Sequence, residues 1–113
     1  MKADALQMTL LYDYYSEMLT EKQRLCFDLH YNQDLSLGEI AEEMGISRQG
    51  VHDAIARTES ALHAMEERLG CVARARSLQE ARRSLVEVAE QLRIAGQPDF
   101  AARILAAADL IKE

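Results

Sequence analysis

Residues 36–62, SLGEIAEEMGISRQGVHDAIARTESAL, decide the fold of this 113-residue chain. Ser36 has the side chain of a helix N-cap, and Glu39 stands three residues later, at the spacing of a capping box. Gly45 can adopt positive φ at little steric cost, which the end of a helix often requires. Ser47 is a second N-cap residue, so the stretch predicts two helices joined by a tight turn.

Apolar and small residues around this turn have the spacing of two helices that cross and share a core. The predicted core residues are Ile40, Met44, Ile46, Val51 and Ile55. Ala41 is placed where the helices approach most closely, and a larger side chain there would push them apart. The pattern predicts a helix-turn-helix, the motif whose second helix enters the major groove of DNA.

The remaining sequence predicts helices only, because apolar residues recur every three or four positions and never alternate. A first helix over about residues 5–19 has one broad apolar face, formed by Leu6, Leu10, Leu11, Tyr14, Tyr15 and Met18. A second helix starts after the cap residue Thr20, with Gln23 as its capping-box partner, and continues to about Tyr31. Ser36 and Gly45 bound the third.

The fourth helix is predicted to run from the cap at Ser47 to Gly70, because its apolar positions continue at spacings of three and four. They are Val51, Ile55, Thr58, Leu62, Met65 and Leu69. A fifth helix is predicted from about Ser77, with Leu78, Ala81, Leu85, Val88, Leu92 and Ala95 on one face. After a turn at residues 96–99, a sixth points Phe100, Ile104, Leu105, Ala108 and Ile111 inward. The fold class is therefore all-α.

Two parts are predicted within the chain. Residues 1–70 form a helix-turn-helix domain, and residues 71–113 form a C-terminal helical extension that packs on the long fourth helix or on a second subunit. The fourth and fifth helices are long enough to pair as an antiparallel hairpin closed by the sixth. We predict a homodimer through the C-terminal half, and an intramolecular bundle is the open alternative.

Charge limits the kinds of partner. The chain has 19 acidic and 13 basic residues, for a net charge of −6. Residues 1–46 hold nine acidic and three basic side chains, whereas residues 47–113 hold ten of each. Non-specific DNA affinity needs clustered Lys and Arg, so that affinity is predicted to be weak. The sequence has neither a membrane span nor a signal peptide pattern, which predicts a cytoplasmic protein.

Contacts with double-stranded DNA are predicted from the start of the fourth helix. The candidate base contacts are Arg48, Gln49 and His52, and the candidate phosphate contacts are Ser47, Arg57, Lys22 and Arg24. Asp53 lies among them and argues against docking, because it would face phosphates unless a cytosine amino group met it. Gly50 lowers helix propensity by about 1 kcal/mol relative to Ala, and its missing side chain allows a close approach to DNA.

The sequence gives little support for catalysis or for metal binding. Cys26 and His30 are four apart on one helix, but two ligands are too few for a metal site and both lie near an apolar face. The chain is therefore predicted to be no enzyme and to use no cofactor or metal. The tyrosines of the first helix are a candidate stacking platform for nucleic acid, but packing against the helix-turn-helix is the favoured interpretation.

Four segments in order, LYDYY, LTEKQR, LSLGEIAEE and ISRQGVHDAI, resemble the YlxM-like family of small bacterial helix-turn-helix proteins. The resemblance covers residues 10–69, and its LTEKQR and SLGEIAEEMGIS layout is similar to region 4 of sigma factors. It implies a DNA-binding regulatory protein. It also implies a link to the signal recognition particle pathway, because the genes of the family lie beside those of the particle's GTPase and receptor. The family commonly has Ala in place of Gly50 and Tyr in place of His52.

Two functions from different classes thus remain. The first is a dimeric transcription regulator that reads two half-sites on DNA. The second is an accessory protein that contacts the GTPase, the RNA or the receptor of the signal recognition particle and binds no DNA. The acidic first half favours a basic protein partner for the second function.

Overall fold

The computed structural model describes residues 4–112, which contain six α-helices and no strand. The helices are α1 (Ala5–Tyr15), α2 (Glu21–Phe27), α3 (Leu37–Met44), α4 (Arg48–Leu69), α5 (Cys71–Ile94) and α6 (Pro98–Asp109). A 3₁₀ turn, Ser16–Met18, follows α1, and a π-helical turn, Asp28–Asn32, follows α2. The predicted all-α class is confirmed. The chain divides into two compact units, residues up to Gly70 and residues from Cys71 on.

Local capping explains where the helices of the first unit begin and end. Thr20 and Ser36 each form the predicted capping box, with Gln23 and Glu39 respectively. Gly45 ends α3 with φ +68°, and the amide of Ile46 then donates to the carbonyl of Ala41 at 3.1 Å. These bonds satisfy backbone groups that a helix end leaves without partners. The turn between α3 and α4 is therefore specified locally.

The core of the first unit lies where α2, α3 and α4 meet. Cys26, Leu29, Ile40, Val51 and Ile55 form one buried cluster, with Leu35, Ala41, Met44 and Ala54 packed against it. α1 packs on the other part of α4, where Met8, Leu11, Tyr15, Thr58 and Leu62 are buried. The long helix α4 thus packs against α3, its partner in the helix-turn-helix, and against the N-terminal helix α1.

The aromatic residues of this unit pack among themselves. The rings of Tyr12 and Phe27 stack with centroids 4.3 Å apart, and those of Phe27 and Tyr31 stack at 4.5 Å. Tyr15 is fully buried, and its hydroxyl donates to Glu66. These contacts agree with the packing interpretation for Tyr12 and Tyr15, whereas Tyr14 is exposed.

Several sequence predictions about this unit were wrong. The α-helix stops at Tyr15 and not near residue 19, because the chain tightens into a 3₁₀ turn there. Leu6 and Met18 are exposed, although Met8, which the pattern did not place inward, is buried. The residues predicted inward but found exposed are Leu6, Tyr14, Met18, Ile46 and Leu69.

The second unit consists of α5 and α6, which pack against each other. Ala89, Ala101 and Ala108 are buried, and residues this small allow two helices to lie close together. Gly96, with φ +81°, and Pro98 at the first turn of α6 reverse the chain between the helices. Arg82 and Asp109 lie 3.6 Å apart, so the end of α6 lies beside the middle of α5.

Predictions about the second unit also need correction. The helix α5 begins at Cys71, six residues before the predicted Ser77, because no N-cap side chain precedes Cys71 to mark the start. The apolar residues predicted inward but found exposed are Ala81, Val88, Ala95, Phe100 and Leu105. Ala89 is buried in place of Val88, whereas Leu78, Leu85 and Leu92 are partly buried as predicted, so the contact face is shifted only slightly around α5.

Candidate nucleic-acid interface

The start of α4 is built by Ser47, whose hydroxyl accepts a 3.0 Å hydrogen bond from the amide of Gly50. Val51 is fully buried one turn later, so the opposite side of this turn points away from the core. The residues that this arrangement leaves exposed are Ser47, Arg48, Gln49, His52 and Asp53. All three predicted base-contacting residues therefore lie on one solvent-facing surface.

Three of these side chains interact with one another. The side-chain amide Nε2 of Gln49 donates to Oδ1 of Asp53 at 3.0 Å. The ring nitrogen Nδ1 of His52 lies 3.6 Å from the same Oδ1. Asp53 thus sits between two of the candidate base contacts and holds the Gln49 amide in one orientation.

Arg48 contacts the start of α3. A Cβ atom added to Gly38 would lie 2.8 Å from a terminal nitrogen of Arg48 and 3.1 Å from its Nε. The guanidinium therefore occupies the space that the missing side chain of Gly38 leaves. The sequence analysis did not single out Gly38, and an isolated glycine near the start of a helix gives little signal of such a contact.

Two of the candidate phosphate contacts flank a groove beside the turn. Thr20, Lys22, Gln23, Met44, Ile46, Ala54 and Arg57 line this groove of about 260 Å³. Its floor is apolar, and neither Asp nor Glu is among these residues. The half-exposed side chain of Ile46, which was predicted to be buried, forms part of it. Lys22 and Arg57, 35 residues apart in the sequence, are brought to the same side of the motif.

Arg24 has a different environment. Its guanidinium Nη1 donates to the carbonyl of Leu19 at 2.8 Å and to that of Ser16 at 3.2 Å. These bonds satisfy carbonyls around the 3₁₀ turn between α1 and α2. Arg24 is therefore already engaged with backbone carbonyls, unlike a side chain that is free to contact phosphate.

An acidic surface lies on α3. A second groove is lined by Leu35, Glu39, Glu42 and Glu43. Hydrogen bonds from the backbone and side chain of Ser36 lower the pKa of Glu39, which keeps that carboxyl group charged. The first unit thus has a cationic groove at α2 and α4 and an anionic one at α3.

The structure gives little support for a reactive thiol or for a metal site. Cys26 is buried in the helical core, where burial, with a contribution from Glu59, raises the pKa of its thiol and disfavours the reactive thiolate. Within residues 4–112, no three His, Cys, Asp or Glu side chains are grouped to hold a metal ion. The helices in this range are also too short or too polar to span a membrane.

Comparison with known proteins agrees with the geometry of the motif. The family described as "Putative helix-turn-helix protein, YlxM / p13 like" matches residues 2–98. A UPF0122 protein of Thermoanaerobacter sp. is 55% identical over 74 residues, which cover 66% of this chain and 63% of that protein. A UPF0122 protein of Halalkalibacterium halodurans is 45% identical over 86 residues, covering 76% of this chain and 79% of the relative. The match thus spans less than two thirds of the Thermoanaerobacter protein, and it confirms the resemblance inferred from the four segments.

Proposed function

Because the chain belongs to the UPF0122 family of YlxM/p13-like helix-turn-helix proteins, we propose that it is a cytoplasmic DNA-binding regulator with no enzymatic activity. The observation that supports this proposal is the exposed start of α4, where Arg48, Gln49 and His52 share one solvent-facing surface. A helix of this kind enters the major groove with its first turns against the base edges.

The surroundings of α4 fit the same mode of binding. Lys22 and Arg57 flank one side of the helix start and can neutralise phosphates of the adjacent strand. Ser47 terminates the turn and leaves the first amides of α4 directed outward, an arrangement that favours a phosphate oxygen. Arg48 can reach a phosphate or a guanine once it leaves Gly38.

The net charge of −6 sets the expected energetics. Few phosphates are neutralised, so affinity depends on sequence and on the presence of two reading helices. The logarithm of the binding constant should fall with the logarithm of salt concentration with a slope of about −0.9 per phosphate contact. A slope that corresponds to only a few contacts is expected here.

Crosslinking in cells tests the proposal. A tagged chain is crosslinked, and the recovered DNA and RNA are sequenced while the recovered proteins are identified by mass spectrometry. Discrete DNA peaks that disappear in an Arg48→Ala, Gln49→Ala double variant would support a transcription regulator. An equal peak profile for the double variant and the wild type would refute contact through α4. Glu67→Gln, at an exposed position late in α4, is the control.

The anionic groove on α3 favours a second candidate function. Glu39, Glu42 and Glu43 offer a carboxylate surface to a basic protein, and the GTPase and receptor of the signal recognition particle are the partners that the family resemblance implies. The same crosslinking experiment distinguishes the two functions. Recovery of the particle's RNA, GTPase or receptor without DNA peaks would favour this accessory role.

We also propose that the protein forms a homodimer through its second unit. A groove of about 360 Å³ is lined by Leu85, Leu92, Phe100, Arg103, Ile104 and Ala107. The α6 residues of this groove run from Phe100, which is 53% exposed, to the small residue Ala107. Two antiparallel copies related by a twofold axis would set each Phe100 against the partner's Ala107, as a self-complementary interface requires. Light scattering across a size-exclusion peak would measure the mass, and a monomer at micromolar concentration would refute the dimer.

A further inference from the structure

The hydrogen bond between Gln49 and Asp53 has a consequence for which base pairs α4 can read. Nε2 of Gln49 donates to Oδ1 of Asp53 at 3.0 Å, so this side chain has spent one N–H on a protein partner. The carbonyl oxygen of Gln49 and the second carboxylate oxygen of Asp53 have no bond to any other part of residues 4–112. Both of these oxygens are acceptors.

The nearby guanidinium donor is directed away from this pair. The guanidinium of Arg48 lies against Gly38 at the start of α3. Nδ1 of His52 faces Asp53. The surface formed by Gln49 and Asp53 therefore presents two acceptors, the carbonyl oxygen of Gln49 and a carboxylate oxygen of Asp53, beside the one N–H that Nε2 of Gln49 retains.

The major groove contains only two kinds of base donor, the N6 amino group of adenine and the N4 amino group of cytosine. Guanine and thymine present acceptors at the corresponding positions, and a carboxylate brought against them would be repelled while losing its water. Residues 49 and 53 are one helical turn apart, and their side chains touch, so their free oxygens reach neighbouring base pairs.

We infer that Gln49 and Asp53 act as one acceptor pair, which selects DNA in which two successive bases on the strand nearest these side chains are adenine or cytosine. This inference rests on the proposed DNA-binding function and deepens it. Asp53, which by itself argues against docking, becomes a residue that determines specificity. It reads one amino group directly and positions Gln49 to read the other.

Deletion of single amino groups from the DNA tests the inference. The wild-type chain first selects duplexes from a random pool. In the selected duplex, purine then replaces each candidate adenine and pyrimidin-2-one replaces each candidate cytosine, which removes the amino group alone. We expect binding to weaken by about tenfold at each of the two positions. The same replacement outside the protected bases is the control.

The Asp53→Ala variant tests whether Asp53 positions the Gln49 amide as well as contacting a base. In Asp53→Ala, the Gln49 amide loses the hydrogen bond that fixes its orientation, so the preference at the base that it contacts should weaken. The preference at the neighbouring base pair should disappear. Because Asp53 is exposed, the fold should be retained. Glu67→Gln, which changes an exposed carboxylate elsewhere on α4, should keep the wild-type preference.

The outcomes distinguish this inference from the function on which it rests. Sequence-dependent binding with guanine or thymine edges facing α4, or unchanged affinity after removal of the amino groups, would overturn the acceptor pair and leave DNA binding intact. An Asp53→Ala variant that keeps the wild-type preference would also overturn it. Failure to bind any duplex in a sequence-dependent way would overturn both.

Discussion

The hydroxyl of Tyr15 donates a 2.5 Å hydrogen bond to Oε1 of Glu66, and this bond ties the buried end of α1 to the second half of α4. The hydroxyl of Tyr31 donates in the same way to Glu59, seven residues earlier on α4. Two carboxylates, two helical turns apart, thus fasten α1 and the turn after α2 to one helix. The extra length of α4 beyond the helix-turn-helix is explained by this role.

Loss of the Tyr15 hydroxyl should destabilise the first unit. In Tyr15→Phe, the carboxylate of Glu66 loses a charge-assisted partner in a partly buried position, and we expect the free energy of unfolding to fall by about 1–2 kcal/mol. Urea unfolding followed by circular dichroism measures the difference. Tyr12→Phe keeps the ring stacked on Phe27 and should change stability by less than half as much.

Substitution of Gly45 should be costly, whereas that of Gly50 should not. Gly45 has φ +68°, a conformation that costs a residue with a side chain about 1–2 kcal/mol, so Gly45→Ala should lower the melting temperature. Gly50 is helical, and Ala there gains about 1 kcal/mol of helix propensity. Its Cβ would lie 3.2 Å from the Ser47 hydroxyl, which offsets part of that gain. Equal effects of the two substitutions in calorimetry would contradict this account.

Ile40 and Ile46 were both predicted to lie in the core, and the structure separates them. Ile40 is fully buried, whereas Ile46 is 39% exposed at the edge of the cationic groove. Ile40→Ala should therefore cost about 2–5 kcal/mol through lost burial and a cavity, and Ile46→Ala clearly less. Chemical unfolding of the two variants in parallel checks the ranking. A larger loss for Ile46→Ala would place that residue in the core after all.

Stability should decline at alkaline pH. Burial, with a contribution from Glu59, raises the pKa of the Cys26 thiol above its ordinary value of 9.0, so the unfolded chain releases this proton first. The contribution is fully present below the unfolded pKa and is lost as pH rises through the folded pKa. Unfolding curves from pH 7 to 11 should show a decline that Cys26→Ala reduces. Cys71→Ala, which keeps Cys26, should retain it, and a decline unchanged by Cys26→Ala would refute the assignment.

If the proposed dimer forms, a charged side chain in the groove of the second unit should dissociate it. Phe100→Glu would place a carboxylate against the partner's Ala107, so light scattering should report a monomer at concentrations where the wild type is a dimer. Ile94 is 72% exposed and lies outside the groove. Ile94→Glu should leave the mass unchanged. Dissociation by both substitutions would mean that the interface is elsewhere.

Local sequence signals are sufficient to predict the helix-turn-helix. Thr20, Ser36 and Ser47 were found as caps, and Gly45 and Gly70 as helix ends, because hydrogen bonds to residues two to four positions away fix these features. The exposure of Gln49 and His52 also followed from the period of the helix. By contrast, the start of α5 has no capping side chain and was predicted six residues too late.

The sequence by itself determined the helices, the turn and the surface that α4 presents, because capping, glycine conformation and apolar spacing act over a few residues. Only the tertiary structure decided how that surface works. It placed Arg48 against Gly38, joined Lys22 and Arg57 across one groove, and engaged Arg24 with the backbone. These relationships depend on which helices pack together and how each is rotated. A periodic pattern does not fix that rotation closely enough to predict that Ala89 and not Val88 is buried. Ile46 lies in the turn between α3 and α4, where no helical period applies.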